Sequence, residues 1–233
     1  MAIPALVADG EHQGWPWLIM TRVDGEPMEA VWPAIDHAQR GALMRDLGAL
    51  VATVQRVPVG PLEALDPQWP SFLAAQATGA RARHPRLGAP AHLLAELDAW
   101  LERTREAVPL DAAPAILTGE YTPGNVLLAR RADRWALAGL IDFGDVMTGF
   151  TEYDLLGPAT FSCAGDADLL RAFLQGWGLT RAASAGFRTR AMRMLLLHRY
   201  ANLDGQVRID GWRQRARSID ELAELLWPSA ALR

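Results

Sequence analysis

The chain has 233 residues, a formal net charge of −4 and 50% hydrophobic residues. This length supports one sizeable hydrophobic core, or a domain with a fragment of a second. No apolar run reaches the roughly 18 residues of a membrane span, and the acidic balance gives no footprint for nucleic acid. The first residues carry no basic region of a secretory signal, and one cysteine, Cys163, excludes an internal disulfide framework. We therefore expect a cytoplasmic protein that binds neither membrane nor nucleic acid.

Two apolar, β-permissive stretches begin the chain and predict a hairpin. They cover residues 3–8 and 17–23, with glycines between them. Residues 23–27 break the apolar pattern and predict a linker turn. Asp36 and Gln39 have the spacing of a capping box, which predicts the start of a helix there.

Most of the remaining chain has the apolar periodicity of amphipathic helices, apart from a Pro-rich segment at residues 57–70. Asp166 and Ser218 stand where helix N-caps are expected, and Ser218 has Glu221 three residues later. The predicted helices cover residues 36–55, 71–77, 91–107, 153–161, 166–177, 181–203 and a last segment from 218. Short strands are predicted at 115–118, 125–129 and 135–141. The sequence therefore predicts an α+β fold that is mainly helical, with a small β insertion.

The β insertion carries carboxylates and an amide in the spacing of a kinase centre. Glu120 precedes Asn125 by five residues, and Asp142 follows at the end of an apolar strand. One carboxylate would orient an attacking hydroxyl, and the other two side chains offer the hard oxygen ligands that magnesium takes beside nucleotide phosphates. The full runs are Thr118-Gly119-Glu120-Tyr121-Thr122-Pro123-Gly124-Asn125 and Leu140-Ile141-Asp142-Phe143-Gly144-Asp145.

Each of these residues alone has an ordinary structural explanation. Glu120 and Asn125 could be turn residues beside Pro-Gly, but their joint spacing and the strand that follows favour catalysis. Asp142 follows buried-strand residues, where a carboxylate needs a partner or solvent. Asp145 has two interpretations that stay open: a second metal contact, or a hydrogen bond to the loop backbone.

With these motifs the chain resembles the aminoglycoside phosphotransferase family of the protein-kinase-like fold, and hygromycin B kinases in particular. The resemblance implies an ATP-dependent (or GTP-dependent) kinase of a small hydroxylated molecule, such as a cationic amino sugar. It implies that Glu120 is catalytic and that Asn125, Asp142 and Asp145 hold Mg²⁺ on the nucleotide. The segment from Trp15 to residue 25 resembles the hinge of the family. The resemblance therefore implies four nucleotide-binding residues. Thr21 and Val23 would bind through their backbone groups, and Asn125 and Asp142 through their side chains.

Two positions depart from the family pattern, which has Asp where this chain has Glu120 and His where it has Thr118. Glutamate is longer by one methylene and has one more torsion to order. A displacement of about 1 Å at a reacting group can reduce a rate by roughly 100-fold. The departures therefore bear on activity rather than on fold.

Lysine is absent, and all 23 basic residues are arginine. A P-loop and a protein kinase each place a lysine on the nucleotide phosphates. In relatives that lysine and a glycine-rich loop belong to a small N-terminal lobe. The resemblance therefore implies a remnant of the small lobe and the hinge at residues 1–24 and a helical large lobe at 25–233. We expect the chain alone to be a poor enzyme, and a version extended through a small lobe to be active.

Three functions remain open at this point: an O-phosphotransferase, a non-catalytic kinase-like binding module, and a large lobe completed by another polypeptide. The substrate is not fixed by these residues. A polycationic acceptor would require an acidic cleft. The carboxylates in regions where relatives bind the acceptor are Glu152, Asp166, Asp204 and Asp210, although each is better explained as a helix cap or a surface charge.

Overall fold

The computed structural model describes residues 1–119, 121–180 and 184–233. Within these ranges helices predominate and the strands form three small sheets, which confirms the predicted α+β, mainly helical fold. The strands are β1 (Leu6–His12), β2 (Trp15–Met20), β3 (Glu26–Pro27), β4 (Ala115–Leu117), β5 (Val126–Arg131), β6 (Arg134–Leu140) and β7 (Met147–Gly149). None of the described helices is long and apolar enough to cross a bilayer.

Nine α-helices are present in the described ranges, and short segments of 3-10 helix lie between some of them. They are α1 (Met28–Val31), α2 (His37–Gln55), α3 (Trp69–Arg86), α4 (Ala91–Arg103), α5 (Ala167–Trp177), α6 (Phe187–Leu196), α7 (Leu203–Gln206), α8 (Trp212–Arg215) and α9 (Ile219–Leu226). A further segment, Pro158–Cys163, is π-helical.

The predicted N-terminal hairpin is present as the antiparallel pair β1–β2. Its strands are displaced from the predicted ranges because the turn falls at Gln13 and Gly14, both with positive φ. Every residue of β2 is exposed, including Trp15 at 77%. The hairpin therefore contributes little to the core of the rest of the chain.

A three-stranded antiparallel sheet in the order β3-β5-β6 positions the β insertion. The β5–β6 turn lies at Ala132 and Asp133, within the predicted connection. The N-terminal segment reaches this sheet as well, because the Ala2 N–H donates to the Ala138 carbonyl and the Leu140 N–H donates to the Ala2 carbonyl. Strands β4 and β7 form a separate antiparallel pair beside it.

Helices α2 and α5 pack closely through two glycines. A Cβ placed on Gly48 would lie 2.0 Å from the Phe173 carbonyl oxygen, and one on Gly176 would lie 2.0 Å from the Arg45 carbonyl oxygen. Only glycine permits such an approach of the two backbones. Leu43, Leu47 and Val51 of α2 are buried, as the apolar periodicity predicts.

Three predicted helix caps are confirmed. Asp36 Oδ1 accepts the Gln39 N–H, and Asp166 Oδ1 accepts the N–H groups of Asp168 and Leu169. Ser218 Oγ accepts the Glu221 N–H at 3.1 Å. These bonds satisfy N–H groups that have no partner within their own helices.

The helix predicted over residues 181–203 is too long: in the described part of that range, which excludes 181–183, a helix is present over Phe187–Leu196 but does not continue to 203. Helix α6 ends at Leu196, and the chain is irregular until Asn202 caps α7. The Leu196 carbonyl accepts hydrogen bonds from the side chains of His84 and Arg83 of α3. A tertiary contact thus takes an acceptor that a longer helix would use, a competition that apolar periodicity does not reveal.

Other predicted bounds also shift. The helix predicted at 71–77 extends over the whole of α3, and residues 153–161 form the 3-10 turn Thr151–Leu155 and the π-helix rather than an α-helix. Helix α4 matches the prediction to Arg103, after which the chain tightens into a 3-10 turn. The helical character of these segments was predictable, whereas their lengths and the kind of helix were not.

Candidate functional site

The loop between β4 and β5 is held by a buried carboxylate. Asp154 Oδ2 accepts the Thr118 N–H at 2.9 Å, and Asp154 Oδ1 accepts the Gly119 N–H at 2.8 Å. Gly119 has a φ of +70°, which L side chains rarely adopt. Asp154 is only 3% exposed. It therefore fixes the backbone that leads directly into position 120.

Glu120, the predicted catalytic carboxylate, lies outside the described residues. The residues on both sides of it are described: Gly119 is bound to Asp154, and Tyr121 is buried. Burial raises the pKa of the Asp154 carboxyl to about 7, while the two N–H donors oppose that rise. The anchor of the loop is thus itself a titratable group.

Asn125 and Asp142 occupy neighbouring ends of adjacent strands. The Asn125 carbonyl accepts the Ile141 N–H at 3.1 Å, and the next pair along the ladder is Val126 with Leu140. The Asn125 N–H donates to the Thr122 carbonyl in a turn. The two predicted metal ligands are therefore brought together at the level of the backbone.

Asp142 has an unusual backbone and an exposed side chain. Its φ of +64° is in the left-handed region, which is uncommon for a residue with a Cβ. Its Oδ1 accepts the Gly144 N–H at 3.3 Å, the long end of the hydrogen-bond range. A backbone conformation of this kind is strained and persists only where the surrounding structure maintains it. Such residues are concentrated at functional sites.

Asp145 is held by two residues that the sequence analysis did not single out. Its Oδ1 lies 3.1 Å from Arg199 Nη1 and accepts the Tyr200 hydroxyl at 3.2 Å. The Arg199 guanidinium also contacts Met147 Sδ. One carboxylate oxygen of Asp145 is thus bound to a cation. This contact does not distinguish between the two roles predicted from the sequence, a second metal contact and a hydrogen bond to the loop backbone. No sequence signal connects Asp145 with a residue 54 positions away.

Thr21 and Val23, the predicted nucleotide contacts, both lie beside the N-terminal segment. The Thr21 N–H donates to the Ala5 carbonyl, and Thr21 Oγ1 accepts the Ala5 N–H. The Val23 side chain packs against Gly139 of β6, where an added Cβ would lie 2.3 Å from Val23 Cγ1. The amide of Thr21 is therefore already occupied in this structure.

A cavity of about 310 Å³ adjoins the anchored loop. Gly119, Tyr121 and Thr122 form its wall on the loop side. It is also lined by Phe161, His198, Tyr200, Asn202 and Gln206. A larger cavity of about 390 Å³ lies between α3 and α4, but none of the predicted site residues lines it.

His198 is a packed residue rather than a general base. Its ring stacks on Tyr153 with centroids 4.6 Å apart, and its Nδ1 accepts the Tyr200 N–H. Burial and, to a smaller extent, the positive charge of Arg199 lower the pKa of His198 to about 4. The imidazole is therefore neutral at pH 7, with its proton on Nε2.

The acidic residues considered as acceptor contacts are largely committed elsewhere. Glu152 is buried in an ion pair with Arg190 at 2.7 Å, and Asp166 caps α5 and bonds to His37. Asp204 pairs with Arg213. Trp212 is buried at 6% exposure and belongs to the core. In the described ranges no three His, Cys, Asp or Glu side chains form a metal cluster.

Fold and site together define a protein of the kinase-like class: a helical lobe with a short-stranded insertion that presents an amide and a carboxylate at neighbouring strand ends. The chain belongs to the phosphotransferase enzyme family (APH), whose model matches residues 1–194.

Solved structures of similar fold are aminoglycoside phosphotransferases. The GDP complex of aminoglycoside 2'-phosphotransferase-IIIa is similar with a TM-score of 0.67 and 17% identity, over 97% of this chain and 74% of that one. The streptomycin–ATP complex of APH(2")-IIa has a TM-score of 0.58 and 18% identity, over 97% and 75%. APH(3'')-Id from Streptomyces rimosus, in complex with ADP and streptomycin, has a TM-score of 0.55 and 17% identity, over 82% and 75%. At these identities the likeness shows the fold alone.

Proposed function

We propose that this chain forms the metal- and acceptor-binding part of a nucleotide-dependent O-phosphotransferase that acts on a small hydroxylated molecule. The observation that carries the proposal is the hydrogen bond between the Asn125 carbonyl and the Ile141 N–H. It keeps an amide and a carboxylate, Asn125 and Asp142, at adjoining strand ends. The family membership of residues 1–194 supports the same class of reaction.

The donor set fits magnesium. Asp142 is exposed and has one long hydrogen bond, so its carboxylate is available, and Asn125 adds an amide oxygen. Magnesium bound there would neutralise charge on the nucleotide phosphates. Asp145 adds an oxygen to this set or positions the loop through Arg199 and Tyr200.

The remaining roles belong to the loop and to the N-terminal segment. Glu120 accepts a hydrogen bond from the acceptor hydroxyl and aligns it for attack; the residues before it, Thr118 and Gly119, are bound to Asp154. The nucleotide donor is ATP or GTP, in line with the ATP, ADP and GDP complexes among the structures of similar fold. Val23 and the carbonyl of Thr21 are the proposed contacts to its base.

The acceptor is a hydroxylated small molecule that enters the cavity beside Gly119. Structures of similar fold include complexes with kanamycin, gentamicin and streptomycin, and the sequence resemblance points to hygromycin B kinases and to amino sugars. An amino sugar is thus the first acceptor to test. If the acceptor is an aminoglycoside antibiotic, its phosphorylation would give a role in antibiotic resistance.

A second candidate function, a binding module without catalysis of its own, is supported by a different observation. The chain contains no lysine, and the β1–β2 hairpin exposes Trp15, Leu18 and Ile19 to solvent. Without a lysine, magnesium and arginine alone would meet the charge of the transferred phosphoryl group. The chain would then act as a binding module, or as a large lobe that another polypeptide completes at the hairpin.

Nucleotide binding tests the metal site. In calorimetry with ATP or GTP and Mg²⁺, Asp142→Asn removes a ligand charge and should weaken the affinity by about tenfold or more, near 1.4 kcal/mol. The matched control is Asp133→Asn, the same change in the exposed turn at the other end of β5 and β6. Equal affinities in the two variants would reject the assignment of the site.

Transfer tests the function itself. Glu120→Gln should keep nucleotide binding but reduce phosphoryl transfer by about 10²- to 10⁴-fold, as expected for loss of a general base. Phosphorus NMR of ATP with hygromycin B or kanamycin measures that transfer directly. Nucleotide binding without transfer in the unsubstituted protein, alone and with added partners, would favour the binding module.

A further inference from the structure

The cavity of about 390 Å³ between α3 and α4 has a buried cation in its wall. Arg193 of α6 lines this cavity and is only 6% exposed. Its Nη1 donates to the Leu101 carbonyl and to the Thr104 hydroxyl. Its Nε is buried and has no hydrogen-bond partner in the described ranges. The guanidinium, which has five N–H donors, is therefore only partly satisfied by the protein.

One contact of Arg193 has a purely structural explanation. Leu101 lies in the last turn of α4, where carbonyl groups have no partner within the helix. A cation at that position also meets the negative end of the helix dipole, which is equivalent to roughly half an elementary charge. Arg193 thus caps α4, but the end of the helix offsets only part of its charge.

The carboxylates in the cavity wall are already paired with other arginines. Asp98 pairs with Arg81, and Glu102 pairs with Arg105. The four side chains of these pairs are 61% to 69% exposed. No ion pair in the described ranges includes Arg193. The wall therefore contains three arginines and two carboxylates, and the surplus cation is the buried one.

The undescribed part of the chain contains one carboxylate, Glu120. Its neighbours Gly119 and Tyr121 line the cavity of about 310 Å³ and do not line this one. The residue of the larger cavity that is nearest to Glu120 in sequence is Leu110, ten positions before it. The chain therefore places Glu120 beside the other cavity.

The titration of Arg193 agrees with an uncompensated charge. Burial lowers the pKa of Arg193, and the positive charge of Arg105 acts in the same direction. Glu102 and Glu106 oppose this shift, but both are exposed and the pKa remains below its ordinary value. An arginine stays charged at pH 7 in any case, so an anion beside it would recover part of the lost solvation.

Most of the remaining wall is apolar. Its apolar residues are Pro70, Leu73, Ala74, Ala77, Leu101 and Leu110. The volume of the cavity lies within the range of roughly 300–1,000 Å³ that is usual for sites of small molecules, and such sites combine an apolar lining with a few polar groups. An anion without an apolar body would leave this surface in contact with water.

We propose that this cavity is a second ligand site, which binds a small carboxylate that has an apolar body. Arg193 would meet the carboxylate, and the apolar residues of α3 and α4 would cover the rest of the molecule. A monoanion fits better than a phosphate dianion because the wall has a surplus of one positive charge. Neither Asn125 nor Asp142 lines the cavity, so the proposal does not depend on phosphoryl transfer.

Ligand-observed NMR titration of the full chain tests the preference for a carboxylate. The probes are 2-naphthoate and 2-naphthamide, which have the same rings and differ in charge. 2-Naphthoate should bind about fivefold more tightly or better, because hydrogen bonds to charged groups are stronger than neutral ones. Equal affinities, or no binding of either probe, would overturn the proposal. Displacement of 2-naphthoate by an equal concentration of inorganic phosphate would overturn it as well.

A pair of substitutions in α3 locates the binding site. Ala74 and Ala75 are adjacent exposed residues, and of the two Ala74 alone lines the cavity. Ala74→Glu adds a carboxylate that repels the probe and competes for Arg193, so it should weaken 2-naphthoate binding by about three- to fivefold. Ala75→Glu is the matched control and should change the affinity by less than about twofold. Equal effects of the two substitutions would contradict the proposal.

Removal of the cation tests its role. Arg193→Met keeps an unbranched apolar side chain and should abolish the preference for 2-naphthoate over 2-naphthamide. If this variant does not fold, because the Leu101 carbonyl loses its donor, the comparison of Ala74→Glu with Ala75→Glu decides.

The new site and the proposed function fail separately. Asp142→Asn should leave 2-naphthoate binding unchanged, and ATP with Mg²⁺ should not displace the probe. Displacement by the nucleotide would place the probe at the phosphoryl-transfer site and overturn the second site alone. Loss of nucleotide binding by the unsubstituted chain would overturn the proposed function and leave the carboxylate site intact.

Discussion

The loop that begins at Thr118 and the β1–β2 hairpin are both short segments of the chain, but their surroundings differ. The loop is tied to buried Asp154 through two backbone N–H groups, and Tyr121 within it is buried. The hairpin is exposed on both faces, with Trp15 at 77% exposure. A two-stranded hairpin is marginal without a packed face, whereas two N–H groups bound to a buried carboxylate are costly to release. The difference indicates that the described residues on both sides of position 120 are held by buried contacts that the hairpin lacks.

The largest effect is expected when Asp154, which holds the loop, is removed. Asp154→Ala leaves the Thr118 and Gly119 N–H groups buried without their acceptor, and should lower the free energy of unfolding by about 2–5 kcal/mol. Asp154→Asn keeps one carbonyl oxygen and should lose less. Urea denaturation measures both. A loss for Asp154→Ala no larger than that for Asp133→Ala in the exposed turn, within about 0.5 kcal/mol, would show that the anchor is unimportant.

The anchor also predicts a dependence on pH. Because burial raises the pKa of Asp154 to about 7, the folded state holds a proton that the unfolded chain has released above its ordinary value near 4. Stability from this group is therefore complete below pH 4 and is lost as the pH rises through 7. The advantage of the unsubstituted protein over Asp154→Asn should shrink across that range. An advantage that grows with pH would mean that the two N–H donors outweigh burial.

The packed core of the molecule, in contrast to the exposed hairpin, can be tested with two glycines of α2. Gly48→Ala places a Cβ 2.0 Å from the Phe173 carbonyl oxygen and should destabilise the fold by about 1–3 kcal/mol. At Gly41 an added Cβ meets no atom within 4 Å, so Gly41→Ala should stabilise by up to about 1 kcal/mol through helix propensity. Thermal unfolding of both variants checks the opposite signs. Equal effects would refute the close contact of α2 with α5.

The smallest effect is expected in the hairpin. Trp15→Ser should change the free energy of unfolding by less than about 0.5 kcal/mol, since the side chain is largely exposed. The same denaturation experiment measures it. A loss of several kcal/mol that depends on protein concentration would show instead that the hairpin is covered by a partner.

Much of the local structure was predictable because it depends on neighbours in sequence. The caps at Asp36, Asp166 and Ser218 and the apolar face of α4 follow from spacing alone. The end of α6 was not predictable, because it depends on side chains of α3 that reach the Leu196 carbonyl. Contacts more than 100 residues apart leave no periodic signal.

The candidate site divides in the same way. The spacing of Asn125 and Asp142 predicted two strand ends that the backbone brings together. The commitment of Asp145 to Arg199 and Tyr200, and of Thr21 to Ala5, was not visible in the sequence. Partners of this kind depend on tertiary packing. The role of Glu120 remains a prediction from the motif.

A crystal structure of the chain with ADP and Mg²⁺ tests the central claim most directly. We predict a metal ion coordinated by the side-chain oxygens of both Asn125 and Asp142, at about 2.1 Å from each. The nucleotide phosphates should share that ion. A bound nucleotide whose metal contacts neither side chain, or binds elsewhere on the chain, would contradict the account.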